Sequence, residues 1–210
     1  MRKLDMGKKM NKAKKLFLDL LFPKLCLNCQ KEGDFLCDDC EALLEISPFH
    51  RNFSSRVLSD LYIPISYKNP LAKKLIRRFK YEPLVKELST TLASFIISHF
   101  QLLDNPPDFA EYVLMPVPLS KKRLKWRGYN QAEELGKELT EFFKIPLVSN
   151  CLVKIKETAP QMELTEEERK ENVKSAFLVK NSELVSGRKI LLVDDVFTTG
   201  STMEECALTL

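Results

Sequence analysis

Apolar positions recur along this chain in two rhythms. Between residues 69 and 81, Leu71, Leu75, Ile76 and Phe79 repeat at the three- and four-residue spacing of one helical face. Lys73, Lys74, Arg77 and Arg78 fall on the opposite face, and Asn69 followed by Pro70 supplies a helix start. Pro83 opens a second predicted helix running to about Leu103, where Asn105, Pro106 and Pro107 end it. Residues 130–143 predict a third, and Thr165 with Glu168 three positions on predicts a capping box for a fourth through Lys174. The runs 61–67, 112–117, 151–155 and 189–193 are apolar but too short for helices, and predict strands. Residues 120–127 and 156–164 are expected to be a basic and a polar loop. Strands alternating with helices predict an α/β fold, a parallel sheet flanked by helices, whose ligands sit at the carboxyl ends of the strands.

Length and composition narrow the class. The 210 residues, 44% of them apolar, suit one medium domain with a small appendage. No run approaches the roughly 18 apolar residues of a membrane span, and the apolar stretch 16–21 is interrupted by Asp19. The formal charge of +4 is uneven, because residues 1–24 hold eight basic side chains against Asp5 and Asp19. Such a tail can dock on an anionic surface, although most charge runs are solvated ends. It also resembles the front of a signal peptide, but no small-residue cleavage site follows, so a cytoplasmic protein is expected.

Four of the six cysteines fall within fifteen residues, as Cys26, Cys29, Cys37 and Cys40. Two CxxC turns of this spacing aim four thiolates at one point and close a tetrahedral sulfur site of the kind zinc favours. Gly33 supplies the reversal between them. Disulfides would need an oxidising compartment, and a redox CxxC does not usually come in two copies. A structural zinc ion is therefore expected, with no open coordination position for chemistry. Cys151 and Cys206 stand among apolar residues and are expected in the core.

The densest chemistry follows the last predicted strand, where Asp194 and Asp195 precede Thr198, Thr199, Gly200, Ser201 and Thr202. Gly200 permits the positive φ of a phosphate cradle, successive amides point inward, and the helix dipole favours an anion. The hydroxyls of Thr198, Thr199, Ser201 and Thr202 can donate to the same oxygens. Two carboxylates beside such a cradle would repel phosphate, so they face vicinal hydroxyls or a divalent cation. A ribose 5-phosphate satisfies every group. The alternative is a magnesium site in another α/β enzyme, with the threonine–glycine segment acting only as a helix cap.

Residues 190–202, ILLVDDVFTTGST, resemble the phosphoribosyl pyrophosphate (PRPP) motif of type I phosphoribosyltransferases. The chain as a whole resembles the ComF family. The likeness runs through LFPKLCLNC at 21–29, LIRRFKY at 75–81, VPL at 117–119, RGYNQA at 127–132, Thr158 to Gln161, Arg169 and Asn172. It implies a type I phosphoribosyltransferase-like fold behind a zinc-ribbon-like N-terminus, linked in some bacteria to DNA uptake. It implies that Lys121, Lys122, Arg123 and Arg127 line the pyrophosphate loop, and that residues 156–169 form the mobile loop, with Lys156, Gln161 and Arg169 able to reach ligand. It implies Mg2+ bound with PRPP. Two departures stand out: Glu82 and Pro83 replace a glycine often found there, and the family pattern continues through at least one strand beyond Leu210, so a C-terminal strand is expected to be missing.

The expected organisation is a basic tail and zinc module over residues 1–48 and a phosphoribosyltransferase-like domain over residues 49–210. Asp194 and Asp195 would carry the chemistry in a transferase whose acceptor nothing in the sequence identifies. The rival reading is a non-catalytic sensor of PRPP or a related nucleotide, acting through the zinc module and basic tail on a protein or nucleic-acid partner, such as the DNA-uptake machinery or single-stranded DNA. A weaker one makes the cysteine cluster a nucleic-acid-binding finger on an α/β scaffold.

Overall fold

The structure, a computed structural model, describes residues 23–49, 55–158 and 165–210. They fall into two compact units, the first ending at Leu43 and the second spanning Leu44–Leu210. In the first, the chain reverses between the cysteine pairs through an antiparallel bridge between Leu25 and Glu32. Gly33 takes φ 131° there. A single turn of helix, α1 (Asp38–Glu41), carries the second pair.

The second unit opens with α2 (Pro70–Lys80), and its start is the one its sequence dictates. The Asn69 side chain accepts from the Leu71 and Ala72 amides at 2.9 and 3.2 Å, and proline stands in the first turn. Leu71, Leu75, Ile76 and Phe79 are buried. Helix α3 is Leu88–Leu102, beginning later than Pro83 because residues 81–87 form bends and a turn first. Strand β1 (Tyr112–Pro116) leads to α4 (Lys121–Arg127) and α5 (Gln131–Phe143). Strand β2 (Leu152–Lys154), α6 (Glu166–Val173) and β3 (Phe177–Val179) come next, and β4 (Lys189–Val193) and α7 (Ser201–Thr209) end the unit.

Strands β1 and β4 pair in parallel from Tyr112 opposite Lys189 to Pro116 opposite Val193, so both end at one level. On its other side Leu114 bridges Leu147. One sheet face meets α5, where Gly136 makes room: a Cβ there would come within 2.9 Å of Leu114 and 2.8 Å of Leu147. The opposite face, with Met115, Val117, Ile190 and Leu192, packs on β2, β3 and α7 through Leu152, Phe177, Met203 and Cys206. Cys151 and Cys206 are fully buried, as expected of core positions.

Two local expectations fail and one strand was not foreseen, each for an identifiable reason. Residues 62–67 form no strand, since Pro64 lacks a ladder donor and Ser66 and Asn69 make turn contacts. The segment 120–127, expected to be a loop, is mostly helix α4, capped by Ser120 and closed by Gly128 at φ 77°. The strand Phe177–Val179 was not foreseen, because three residues give no readable alternation; it pairs antiparallel with β2 beside the parallel sheet. A mainly apolar cavity of about 700 Å³ is lined by Ile190, Leu191, Leu192 and Val193 in succession. Residues from both faces of β4 reach it, so it runs along the edge of that strand away from β1. Asp194 and Asp195 also line it.

Candidate functional site

The common end of β1 and β4 fixes the site. The Val117 amide donates to the Val193 carbonyl at 2.9 Å, so the two exit segments begin side by side. Asp194 and Asp195 follow β4 directly, with the Asp195 amide donating to Asp194 Oδ1 at 2.8 Å. The loop then enters α7 through Gly200, buried and at φ 85°, and no side chain caps that helix. Thr199 Oγ1 and Ser201 Oγ lie 2.9 Å apart. Ser201 is buried, Thr199 and Thr202 are half-buried, and Thr198 is exposed.

Lys80, Arg127 and Lys154 lie in the field of the acids, and Arg123 stands beside the last two. Lys80, at the end of α2, reaches Asp195 at 2.8 Å with its side chain 21% and the carboxylate 6% exposed. Burial opposes its charge, but Asp195 and Asp194 outweigh it and hold Lys80 above its ordinary value. Arg127 lies in the field of Asp195 and donates to Gln131 Oε1 at 2.8 Å. Arg123 Nη2 donates to the Thr158 carbonyl at 2.7 Å, and Lys154 Nζ donates to Thr158 Oγ1 at 3.0 Å. Burial, then Arg123, lowers Lys154. Asp194 responds most strongly: loss of solvent, then Asp195 beside it, pushes its carboxyl up to about 8 despite Lys80.

The RGYNQA segment, residues 127–132, holds this frame together. Tyr129 Oη and Gln131 Nε2 both donate to the Phe79 carbonyl, at 2.8 and 3.0 Å, fixing the end of α2 next to Lys80. Asn130 Nδ2 donates to the Val117 carbonyl at 3.0 Å while its Oδ1 accepts from the Ala132 amide, so one side chain ties the end of β1 to the start of α5. Helix α4 is tied in turn to residues 157–158, with Ser120 Oγ donating to Glu157 Oε2 at 2.7 Å.

Of the residues singled out in the sequence, the fold brings together Asp194, Asp195, Arg123, Arg127 and the loop 198–202. Lys121 and Lys122 are exposed on α4. Lys156 donates to the Lys174 carbonyl at 3.2 Å. Gln161 and most of the basic tail lie outside the described residues. Lys80 and Lys154 were missed, and each carried a readable signal. Lys80 continues the four-residue spacing of buried Ala72 and Ile76, and Lys154 shares the inward face of β2 with buried Leu152. A cation on an apolar face requires a counter-charge.

In the first unit the Sγ atoms of Cys26, Cys29, Cys37 and Cys40 all lie within 4.8 Å of one another, with Cys29 and Cys37 at 3.5 Å. Four sulfurs about 2.3 Å from a zinc ion stand about 3.8 Å apart, so the cluster fits a structural zinc site. Asn28 Nδ2 donates to Cys40 Sγ at 3.3 Å, a partner that would orient the ligand. Burial disfavours the Cys26 thiolate, but the Cys29, Cys37 and Asn28 amides prevail and bring it to about 6.

The two units therefore define an α/β protein with an acid pair at a parallel strand end and a separate four-cysteine module. No family model matches the chain, and no solved structure does. Among curated proteins it is similar to Competence protein F of Haemophilus influenzae, 31% identical over 183 residues, covering 86% of this chain and 75% of that one. It is 37% identical over 94 residues to DNA utilization protein YhgH of Escherichia coli, and 30% identical over 140 residues to Competence protein ComFC of Bacillus subtilis. The matched regions make up 40% and 53% of those two proteins. The extent of the first match makes the chain a member of the ComF family.

Proposed function

We propose that this chain is a phosphoribosyltransferase-like protein of the cytoplasm that binds PRPP, and that it serves DNA uptake, in line with the competence and DNA utilization names of its relatives. The observation that carries the reading is the acid pair at the end of β4, leading through Gly200 at φ 85° into α7, beside the cations of α4. The 5′-phosphate would lie against the amides and hydroxyls of residues 198–202, at the positive end of α7. Asp194 and Asp195 would accept from the 2′ and 3′ hydroxyls. Arg123 and Arg127, where β1 ends, would face the pyrophosphate. Binding would loosen Lys80 from Asp195, since the hydroxyls compete with its ammonium for that carboxylate.

Mg2+ bound with PRPP would supply charge neutralisation on the departing pyrophosphate. The protein's own part is positional: it holds the hydroxyls and phosphates while C1′ is attacked. Calorimetry with PRPP and Mg2+ tests the assignment. The Asp194→Asn/Asp195→Asn variant is expected to bind at least about a hundredfold more weakly with an unchanged circular dichroism spectrum. Unchanged affinity would remove the acids from the site. Pyrophosphate release across nucleobases and amines separates a transferase from a sensor, which would bind tightly and turn over none of them.

A further inference from the structure

Helix α4 contributes nothing to the core: none of its seven residues is buried. Its two apolar residues, Leu124 and Trp126, are 42% and 52% exposed, and neighbouring Tyr81 is 40% exposed. A lone exposed apolar residue needs no explanation. Here an exposed tryptophan and an exposed tyrosine form a tilted pair, with ring centroids 6.4 Å apart and planes inclined at 54°. The Arg127 guanidinium lies 5.5 Å from the Tyr81 ring and 5.9 Å from the Trp126 ring. Lys121, Lys122 and Lys125, on the same helix, are exposed.

We infer that Tyr81, Trp126 and Arg127 form a notch that stacks an unpaired nucleobase, with the lysines of α4 facing the phosphate attached to it. Two inclined rings receive a flat heteroaromatic well, one along its face and one at its edge. Arginine beside both rings adds a cation to the same π-surface. Aromatic side chains interleaved with cations are how proteins hold unpaired bases without reading sequence, each stacked base contributing about 1–3 kcal/mol. The covalent neighbours of the rings tie the notch to the acid site: Tyr81 follows Lys80, and Trp126 precedes Arg127. The same chemistry is offered by a mononucleotide and by a base in a single strand. The notch does not require PRPP at Asp194 and Asp195.

Trp126 is the chain's one tryptophan, so its emission reports this site alone. Titrating the full chain with thymidine monophosphate, and separately with an oligothymidylate of about a dozen nucleotides, is expected to quench that emission saturably. Quenching by the oligomer at much lower concentration, weakening with salt, identifies a single strand as the ligand; equal concentrations identify a mononucleotide. Tyr81→Ala is expected to weaken the quenching ligand about tenfold. Lys125→Gln is expected to flatten the oligomer's log–log salt slope by about 0.7. Trp126→Ala, followed by anisotropy of labelled ligand, is expected to lose binding while Trp126→Phe keeps it. Absence of quenching by both ligands, or undiminished affinity in Trp126→Ala, overturns the notch. PRPP calorimetry on the wild-type chain reports separately on the acid site, so failure of either assignment leaves the other readable.

Discussion

In the first unit all four sulfur ligands come from one stretch of fifteen residues, and the turns that aim them are their own neighbours. In the second unit Asp195 meets Lys80 from the opposite half of the chain, and their geometry depends on Tyr129, Gln131 and Asn130 tying α2 and β1 to α5. A locally closed cluster forms or fails as one object. A distributed site can lose a member and keep its frame, so its defects should be graded. The contrast can be tested by removing one group from each.

The largest effect is expected from Cys37→Ser. Structural zinc in small modules contributes apparent binding energies of roughly 10–16 kcal/mol, nearly all of it folding energy. Zinc content is expected to fall from about one ion per chain to near zero. Amide protection should disappear across residues 23–43 while β1 and β4 keep theirs. Retained zinc, or retained protection in that segment, would show that the sulfur cluster does not organise the unit.

Lys80→Met should be intermediate. It leaves the Asp195 carboxylate, 6% exposed, without the ammonium now 2.8 Å away. Breaking a buried ion pair costs about 3–5 kcal/mol; because Lys80 is still partly exposed, the expected loss in urea unfolding is nearer about 3. Adding Asp195→Asn should restore most of it, since the uncompensated charge is then gone. A double variant as unstable as the single one would assign the cost to lost packing of the lysine stem instead.

These two sites also differ in how far a reader of the sequence could have gone. The cysteine spacing predicts a sulfur cluster without any knowledge of the fold, because CxxC geometry is settled within a turn. Asp194, Asp195 and Gly200 were legible for the same reason, as neighbours at the end of one apolar run. Helix α2 and the capping box at Thr165, where both reciprocal hydrogen bonds are present, were legible from local periodicity and cap chemistry. Lys80 and Lys154 were not recognised, because a cation on an apolar stripe shows that a partner exists without saying which one. Tyr129, Asn130 and Gln131 were visible as a motif. Their work, bonding backbone carbonyls of Phe79 and Val117, is written only in the tertiary structure.

The smallest effect separates the sites by pH. Loss of solvent and the neighbouring Asp195 push Asp194 up to about 8 in the folded chain, against an ordinary value near 3.8. The unfolded chain ionises this carboxyl above about pH 4, whereas the folded chain keeps its proton until about pH 8, so folding takes up a proton across that window. The stabilisation is complete below the lower value and is lost as pH rises through the upper one. Its slope is at most about 1.4 kcal/mol per pH unit. Between about pH 6.5 and 7.5 the wild type is therefore expected to lose about 1 kcal/mol relative to Asp194→Asn, which has no proton to release. Urea midpoints at the two pH values measure the difference. Parallel behaviour of the two proteins would mean that water reaches the Asp194 carboxyl in the folded chain. The acid pair would then be an open surface feature, and the contrast with the closed sulfur cluster would rest on Lys80 alone.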